Sequence, residues 1–252
     1  MSKPFDLSHR IVLVTGAGGG LGKHIARCFA EAGAMVVVND LREEAATTVA
    51  NELLAEGFKA LAVAADITNQ EAVDELFTTV EKEIGPIDTV IANATGKQIS
   101  EPIENLEWDY YQSMVDFFIK SPYLLSRRAL PNMKAGGFGR IINIASEVFA
   151  EGANWSTAYT AAKGGQIGFT RSLSTEVSAA GITVNAIAPG FIPVERHSQL
   201  PKEVFDGYLA TVPAGKFGTP ADIGWAAVFL ASLEAGFITG ETIHVNGGRT
   251  PR

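Results

Sequence analysis

Short runs of consecutive apolar residues alternate along the chain with longer stretches in which apolar positions recur three and four apart. The first pattern reads as a buried strand and the second as an amphipathic helix. Ile11 to Val14 is such a run and ends in a glycine cluster; Leu21, Ile25, Phe29 and Ala32 then carry helical spacing until Gly33. Met35 to Val38 predicts a second strand and Glu43 to Glu56 a helix, followed by a strand at Leu61 to Ala65 and a helix at Gln70 to Ile84. The turn pair Gly85-Pro86 precedes a fourth strand at Ile87 to Ala92. A long helix over about Glu107 to Met133, a strand at Arg140 to Ala145 and a helix from Trp155 to Ala180, closed by Gly181, come next. A sixth strand at Ile182 to Ala188, an irregular segment from Pro189 to Lys216, a helix at Pro220 to Leu233 and a last strand at Thr242 to Val245 complete the pattern.

Strands built of Val, Ile and Ala with no polar face belong to a parallel sheet covered on both sides. The expected fold is therefore α/β: a doubly wound, seven-stranded parallel sheet with helices on both faces, Rossmann-like, as one domain over 1–252. In such sheets ligands bind beyond the carboxyl ends of the strands, where the strand order reverses. The segment at about 190–216 is the candidate substrate loop.

Composition narrows the ligand. Hydrophobic residues make up 46% of the chain and charged residues 19%, enough for a large core, and the net charge is −8. A nucleic-acid or anionic-membrane partner requires a basic stripe, which is missing, so small molecules are expected. Cys28 is the single cysteine, set among Ile25, Ala26 and Phe29, which rules out an intrachain disulfide and predicts a core thiol. The apolar stretch from Ile223 to Leu233 is shorter than the roughly 20 residues that span a bilayer. No export signal is visible, and a cytoplasmic location is expected. His9, His24, His197 and His244 show no ligand spacing, so no metal is expected.

Thr15 to Gly22 lies between the first strand and its helix, where backbone N–H groups and the helix N-terminus can face a pyrophosphate. Asp40 follows the second strand about 20 residues further on, where a carboxylate accepts hydrogen bonds from an adenosine ribose and repels a 2′-phosphate. Together with the uncharged turn residue Gly19, Asp40 favours NAD over NADP, with Arg42 the one basic group nearby.

Tyr159 and Lys163 stand at i and i+4, on one helix face, and Ser146 ends the fifth strand. A fixed cation beside a phenol lowers its pKa from about 10, which suits proton exchange with a substrate oxygen that the serine hydroxyl holds. With the glycine turn, Asp66, Asn93-Ala94, Ser146, Tyr159-Thr160-Ala161-Ala162-Lys163 and Asn185 to Gly190, the chain resembles the short-chain dehydrogenase/reductase family, in its single-domain branch of about 250 residues. The resemblance covers nearly the whole chain.

It implies an NAD(H)-dependent oxidoreductase interconverting a secondary or primary alcohol with a ketone or aldehyde. Ser146, Tyr159 and Lys163 would be catalytic. Gly16, Gly20, Leu21, Gly22, Asp40, Asp66, Ile67, Asn93, Tyr159, Lys163, Pro189, Gly190 and Ile192 would hold the cofactor: Asp66 with Ile67 at the adenine, Asn93 at the sheet centre, Lys163 on the nicotinamide ribose and Ile192 at the carboxamide. A homotetramer is implied as well. Three positions depart from the family: Thr95 replaces a glycine, Val194 a threonine, and no register places an asparagine in the long helix. Counted back from Ser126, that asparagine's place is taken by Phe118; counted forward from Trp108, by Val115 or Asp116, as if the helix carried an insertion.

Phe191, Leu200, Phe205, Tyr208 and Leu209 give the loop enough apolar surface to cover a substrate, with Phe149, Trp155 and Gln98 as further walls. The expected substrate contacts are Ser146, Glu147, Trp155, Tyr159 and Phe191, and the expected substrate is a largely apolar or aromatic alcohol. Glu195, Arg196 and His197 read as a solvated stretch. Two alternatives stay open: a reductase of acyl chains tethered to a carrier protein, which the resemblance would pair with NADPH, and a nucleotide-binding protein without catalysis. An epimerase or lyase on the same scaffold ranks below both.

Overall fold

The computed structural model describes residues 4–250, so the ends of the expected 1–252 unit lie outside the described residues. Strands β1 (Ile11–Val14), β2 (Met35–Asp40), β3 (Lys59–Ala64), β4 (Thr89–Ala92), β5 (Gly139–Ile144), β6 (Ile182–Pro189) and β7 (Thr242–Val245) form one sheet in the order β3-β2-β1-β4-β5-β6-β7. Every pairing is parallel. Strand ends differ from the sequence reading by a residue or two, the usual slack of element boundaries.

Alternate residues on β1, β2, β5 and β6 enter two different cores, which is why these strands read as largely apolar, whereas on β7 Thr242 and His244 alternate with Ile243 and Val245. Val12, Val14, Val36, Val38, Ile142 and Ile187 pack with helices α1 (Gly20–Glu31), α2 (Glu43–Ala55) and α9 (Pro220–Ala231). Leu13, Val37, Ile141 and Val184 point the other way, toward α3 (Gln70–Glu83), α5 (Ser121–Gly136) and α7 (Thr157–Val177). The chain runs from β1 outward to β3 and crosses back to β4, so the loops after β1 and β4 diverge and open a crevice at the carboxyl edge.

Three helical readings need correction. The long helix is α4 (Trp108–Val115), a π-helical turn at Asp116–Lys120 and α5, a wider turn that accommodates an extra residue. The helix expected from Trp155 begins at Thr157, because Trp155 is left-handed at φ 56°, and its last turn tightens into a 3-10 turn at Ser178–Ala180 before Gly181. The segment read as irregular holds a 3-10 turn at Glu195–His197 and helix α8 (Lys202–Leu209), too short for its spacing to stand out between Pro201 and Thr211. The short α6 (Val148–Glu151) follows Ser146.

Helices α1 and α9 pack closely at Gly224, where an added Cβ would lie 2.5 Å from the Cys28 sulfur. Cys28 is 4% exposed, and burial pushes its thiol up to about 11, with Glu31 adding to the rise. Between about 8.5, the ordinary thiol value, and about 11 the unfolded chain has released this proton while the native chain keeps it, so the thiol's contribution to stability falls as pH rises through that window. At neutral pH a disulfide reagent should therefore label native Cys28 about two orders of magnitude more slowly than the denatured chain. Equal labelling rates with and without denaturant would contradict the packing described.

Candidate active site

Thr15, fully buried at the end of β1, fastens the two strands that flank the crevice. Its hydroxyl donates to the Ile91 carbonyl (3.2 Å) and accepts the N–H groups of Asn93 (3.0 Å) and Ala94 (3.1 Å), while the Asn93 amide donates to the Thr15 carbonyl (2.9 Å). Gly16, at φ 63°, passes so close to β4 that a Cβ would fall 2.7 Å from the Ala94 Cα, and a Cβ on Gly22 would fall 2.2 Å from the Gly16 carbonyl oxygen. Only glycine fits either place. Helix α1 starts after Gly19 with no side-chain cap and no acidic residue in its first turn, and a Cβ on Gly19 would meet nothing within 4 Å. Uncapped N–H groups facing open space are what a phosphate requires.

Asp40 sits beside this cradle, its side chain 14% exposed. One carboxylate oxygen accepts the Gly18 N–H (3.1 Å); the other accepts the Arg42 N–H (3.1 Å) and lies 3.6 Å from the Arg42 guanidinium. Asp66, after β3, is exposed and accepts the backbone N–H (2.9 Å) and hydroxyl (2.7 Å) of Thr68 on a single oxygen, and Ile67 is buried. Asp40, Asp66 and Asn93 thus stand in a row along the carboxyl edge of β2, β3 and β4.

Ser146 follows β5 by two residues and meets the phenol of Tyr159 from α7. Burial moves the Tyr159 pKa upward against the smaller lowering influences of Ser146, Arg196 and Gln98, and Tyr110 adds to the rise. The sequence argument expected a lowered value, set by Lys163. The structure gives the opposite direction because the phenol is itself buried. Lys163 is withdrawn from water as well. It is 3% exposed, and burial, reinforced by Arg196, moves its pKa well below the usual value. Its ammonium donates to the Ile144 carbonyl (2.6 Å) and the Gln166 side-chain oxygen (3.2 Å) and lies 3.7 Å from the centre of the Phe118 ring. Phe118 in turn stands edge-on to Tyr159, ring centres 5.3 Å apart. The registers that placed Val115, Asp116 or Phe118 opposite the family asparagine meet at the π turn, and Phe118 is the residue it delivers to the site.

The far wall comes from β6. Gly190 donates to the Val245 carbonyl (3.1 Å), Glu147 donates its backbone N–H to the Pro189 carbonyl (3.0 Å), and Ile192 is 7% exposed. Val194 lies over the start of α1, 3.9 Å from where a Cβ on Gly20 would be. Phe191 gathers His197, Phe205, Tyr208 and Phe217 around it, with ring centres 4.8 to 6.0 Å away. The Glu147 side chain, 3% exposed, accepts the Tyr208 hydroxyl (2.7 Å), the Asn246 amide (2.9 Å) and the Arg249 guanidinium (2.9 Å), which also pairs with Glu151. Its carboxylate is therefore occupied by protein groups. Trp155 is exposed, and its carbonyl accepts the Glu101 N–H (3.0 Å), joining two surface segments. Thr95 is exposed as well, its hydroxyl donating to the Gly96 carbonyl (3.3 Å). Gln166, Asn246 and Arg249 escaped the sequence reading. Gln166 had a legible signal, three residues beyond Lys163 on the same helix face, whereas nothing local marks residues 246 and 249. Among the described residues no cluster of His, Cys, Asp and Glu is suited to a metal ion.

The family model described as enoyl-(acyl carrier protein) reductase matches residues 16–250. The chain is 39% identical over 243 residues to the 3-oxoacyl-acyl-carrier-protein reductase FabG of Vibrio harveyi, covering 96% of this chain and 98% of that one. It is 36% identical over 244 residues to the (2S)-[(R)-hydroxy(phenyl)methyl]succinyl-CoA dehydrogenase subunit BbsD of Thauera aromatica, covering 97% and 98%. Among solved structures, a gluconate 5-dehydrogenase from Burkholderia cenocepacia J2315 in complex with NADP and tartrate superposes with a TM-score of 0.93 at 33% identity, covering 98% of this chain and 97% of that one. With identity at this level sustained from end to end of both partners, the chain belongs to the short-chain dehydrogenase/reductase family.

Proposed function

We propose that this oxidoreductase moves a hydride between a nicotinamide cofactor, NAD(H) in preference to NADP(H), and the carbon of an alcohol or carbonyl group, with Tyr159 as general acid and base. The observation that carries the reading is the buried Tyr159 phenol placed with Ser146 beside an uncapped glycine cradle, at the place where the strand order reverses. The residues fit the cofactor: the first-turn N–H groups of α1 face open space for the pyrophosphate, Asp40 stands where a ribose would lie, and the Pro189-Gly190 turn with Ile192 borders the other end. When bound, the nicotinamide supplies the hydride. Ser146 holds the substrate oxygen by a hydrogen bond. Tyr159, a phenol whose proton burial holds more tightly, gives that proton to the oxygen in reduction and takes it back in oxidation.

Asp40 supports NAD. Its carboxylate would lie against a 2′-phosphate, and its closest cation, Arg42, is already paired with it. The names of the relatives support a second reading, the reduction of acyl thioesters, since FabG of Vibrio harveyi is a carrier-protein reductase and BbsD a CoA-ester dehydrogenase. The aromatic cluster around Phe191 supports an apolar or aromatic substrate and a lid over residues 190–216, which excludes water from the reacting atoms. The groove between α5 and α7, lined in part by Tyr123, Leu130, Phe169 and Leu173, supports a homotetramer.

Consumption of NADH should exceed that of NADPH across a panel of aromatic and aliphatic ketones and acyl thioesters, and Tyr159→Phe should reduce kcat/KM by about a hundredfold or more. Asp40→Ala should shift the NADH to NADPH ratio of kcat/KM toward NADPH by about tenfold; an unchanged ratio would remove Asp40 from cofactor choice. Glu147→Ala, which leaves Arg249 and Tyr208 without their shared acceptor, should cost about 3 kcal/mol in denaturant unfolding, with Glu147→Gln losing less.

A further inference from the structure

The ammonium of Lys163 has three N–H bonds and three protein surfaces around it: the Ile144 carbonyl, the Gln166 amide oxygen and the face of Phe118. Gln166 is 1% exposed on the buried side of α7. Placing an amide there is costly unless it is used. The stretch of α7 that carries it is tied to the sheet: the Gln166 backbone carbonyl accepts the Thr170 hydroxyl (2.8 Å), which accepts the Asn143 amide of β5 (2.9 Å). Phe118 is buried too, to 1% exposure, with Met114, Ala158 and Ala162 around it. The same ring touches both members of the chemical pair, facing Lys163 and edge-on to Tyr159.

We infer that Gln166 is a positioning residue: with the Ile144 carbonyl it holds the Lys163 ammonium beside Tyr159, and Phe118 seals that ammonium from water. The inference rests on the acid/base role proposed for Tyr159. Buried cations survive only with hydrogen-bond acceptors or a π face, and each of the three neighbours opposes the desolvation that would discharge the lysine. A lysine whose protons are all engaged by protein reaches Tyr159 only through space, its nitrogen 5.7 Å from the centre of the phenol ring, and contact with a ribose requires it to release one of these partners. Arg196, from the turn after β6, and Tyr110, from α4, are the other charged or titratable groups that act on the pair.

Two readouts test this in the full-length protein. The first is labelling by an amine-selective acylating reagent, resolved residue by residue by mass spectrometry, which needs no turnover. Wild-type Lys163 should be among the slowest lysines to react, and Gln166→Leu should accelerate it about tenfold or more as the amine loses its acceptor and its charge. The second is the pH profile of alcohol oxidation, whose acidic limb should move up by about one pH unit in Gln166→Leu because the phenolate loses part of its neighbouring charge, while the cofactor Kd stays within about twofold. Phe118→Leu, which keeps the apolar seal and removes the ring, should act in the same direction by less, and it decides the matter if Gln166→Leu does not reach a native circular dichroism spectrum. Unchanged labelling, or an unmoved limb, in folded variants would overturn the inference. Altered labelling in a protein that turns over no substrate would instead overturn the oxidoreductase reading and leave the positioning role standing.

Discussion

A parallel sheet buried on both faces leaves most of its interior positions to apolar side chains, and this constraint organises the whole molecule. Along β1, β4 and β5 the interior positions go chiefly to two apolar cores, with Thr89, Arg140 and Asn143 as buried polar exceptions, and the hydroxyl, amide and carboxylate groups of the candidate site collect where those strands run out. The bond network of Thr15 with Ile91, Asn93 and Ala94 is the keystone. It joins β1 to β4 at the one place where the chain's winding direction reverses, and thereby fixes the width of the crevice and the closeness of Gly16 to the opposite strand. Asp40 on one side and Ser146 on the other inherit their positions from it through the parallel register.

Desolvation is the dominant electrostatic influence in the site. It lifts the Tyr159 pKa, lowers that of Lys163, and is the first cause in both. Enclosing charges in this way costs several kcal/mol per ion unless their hydrogen-bonding capacity is met. Two solutions are visible. Lys163 is met by a carbonyl, an amide oxygen and a ring, and Glu147 by a hydroxyl, an amide and a guanidinium. The second cluster draws helix α8 and residues 246–249 onto the residue next to Ser146, so the segment after β6 and the turn that carries the serine are held by one carboxylate.

The sequence by itself determined the alternation of strands and helices, since periods of two faces and of 3.6 residues are local properties of the chain. It also placed the glycine turn, Asp40, Ser146, Tyr159 and Lys163, because each occupies a strand end or a helix face that short-range spacing defines. The short helix α8 and the left-handed Trp155 were hidden, the first by its length and the second because a positive φ at a tryptophan is imposed by surrounding loops. Tertiary structure alone decided what surrounds those side chains. That Phe118 rather than an asparagine reaches Lys163 depends on a π turn, an i to i+5 closure that no spacing rule anticipates. That Glu147 is bonded to Arg249 joins residues 102 apart in the chain. The direction of the Tyr159 shift followed the same logic: adjacency to Lys163 at i and i+4 led to the expectation of a lowered value, but burial, which only the packed fold creates, is the largest influence and raises it.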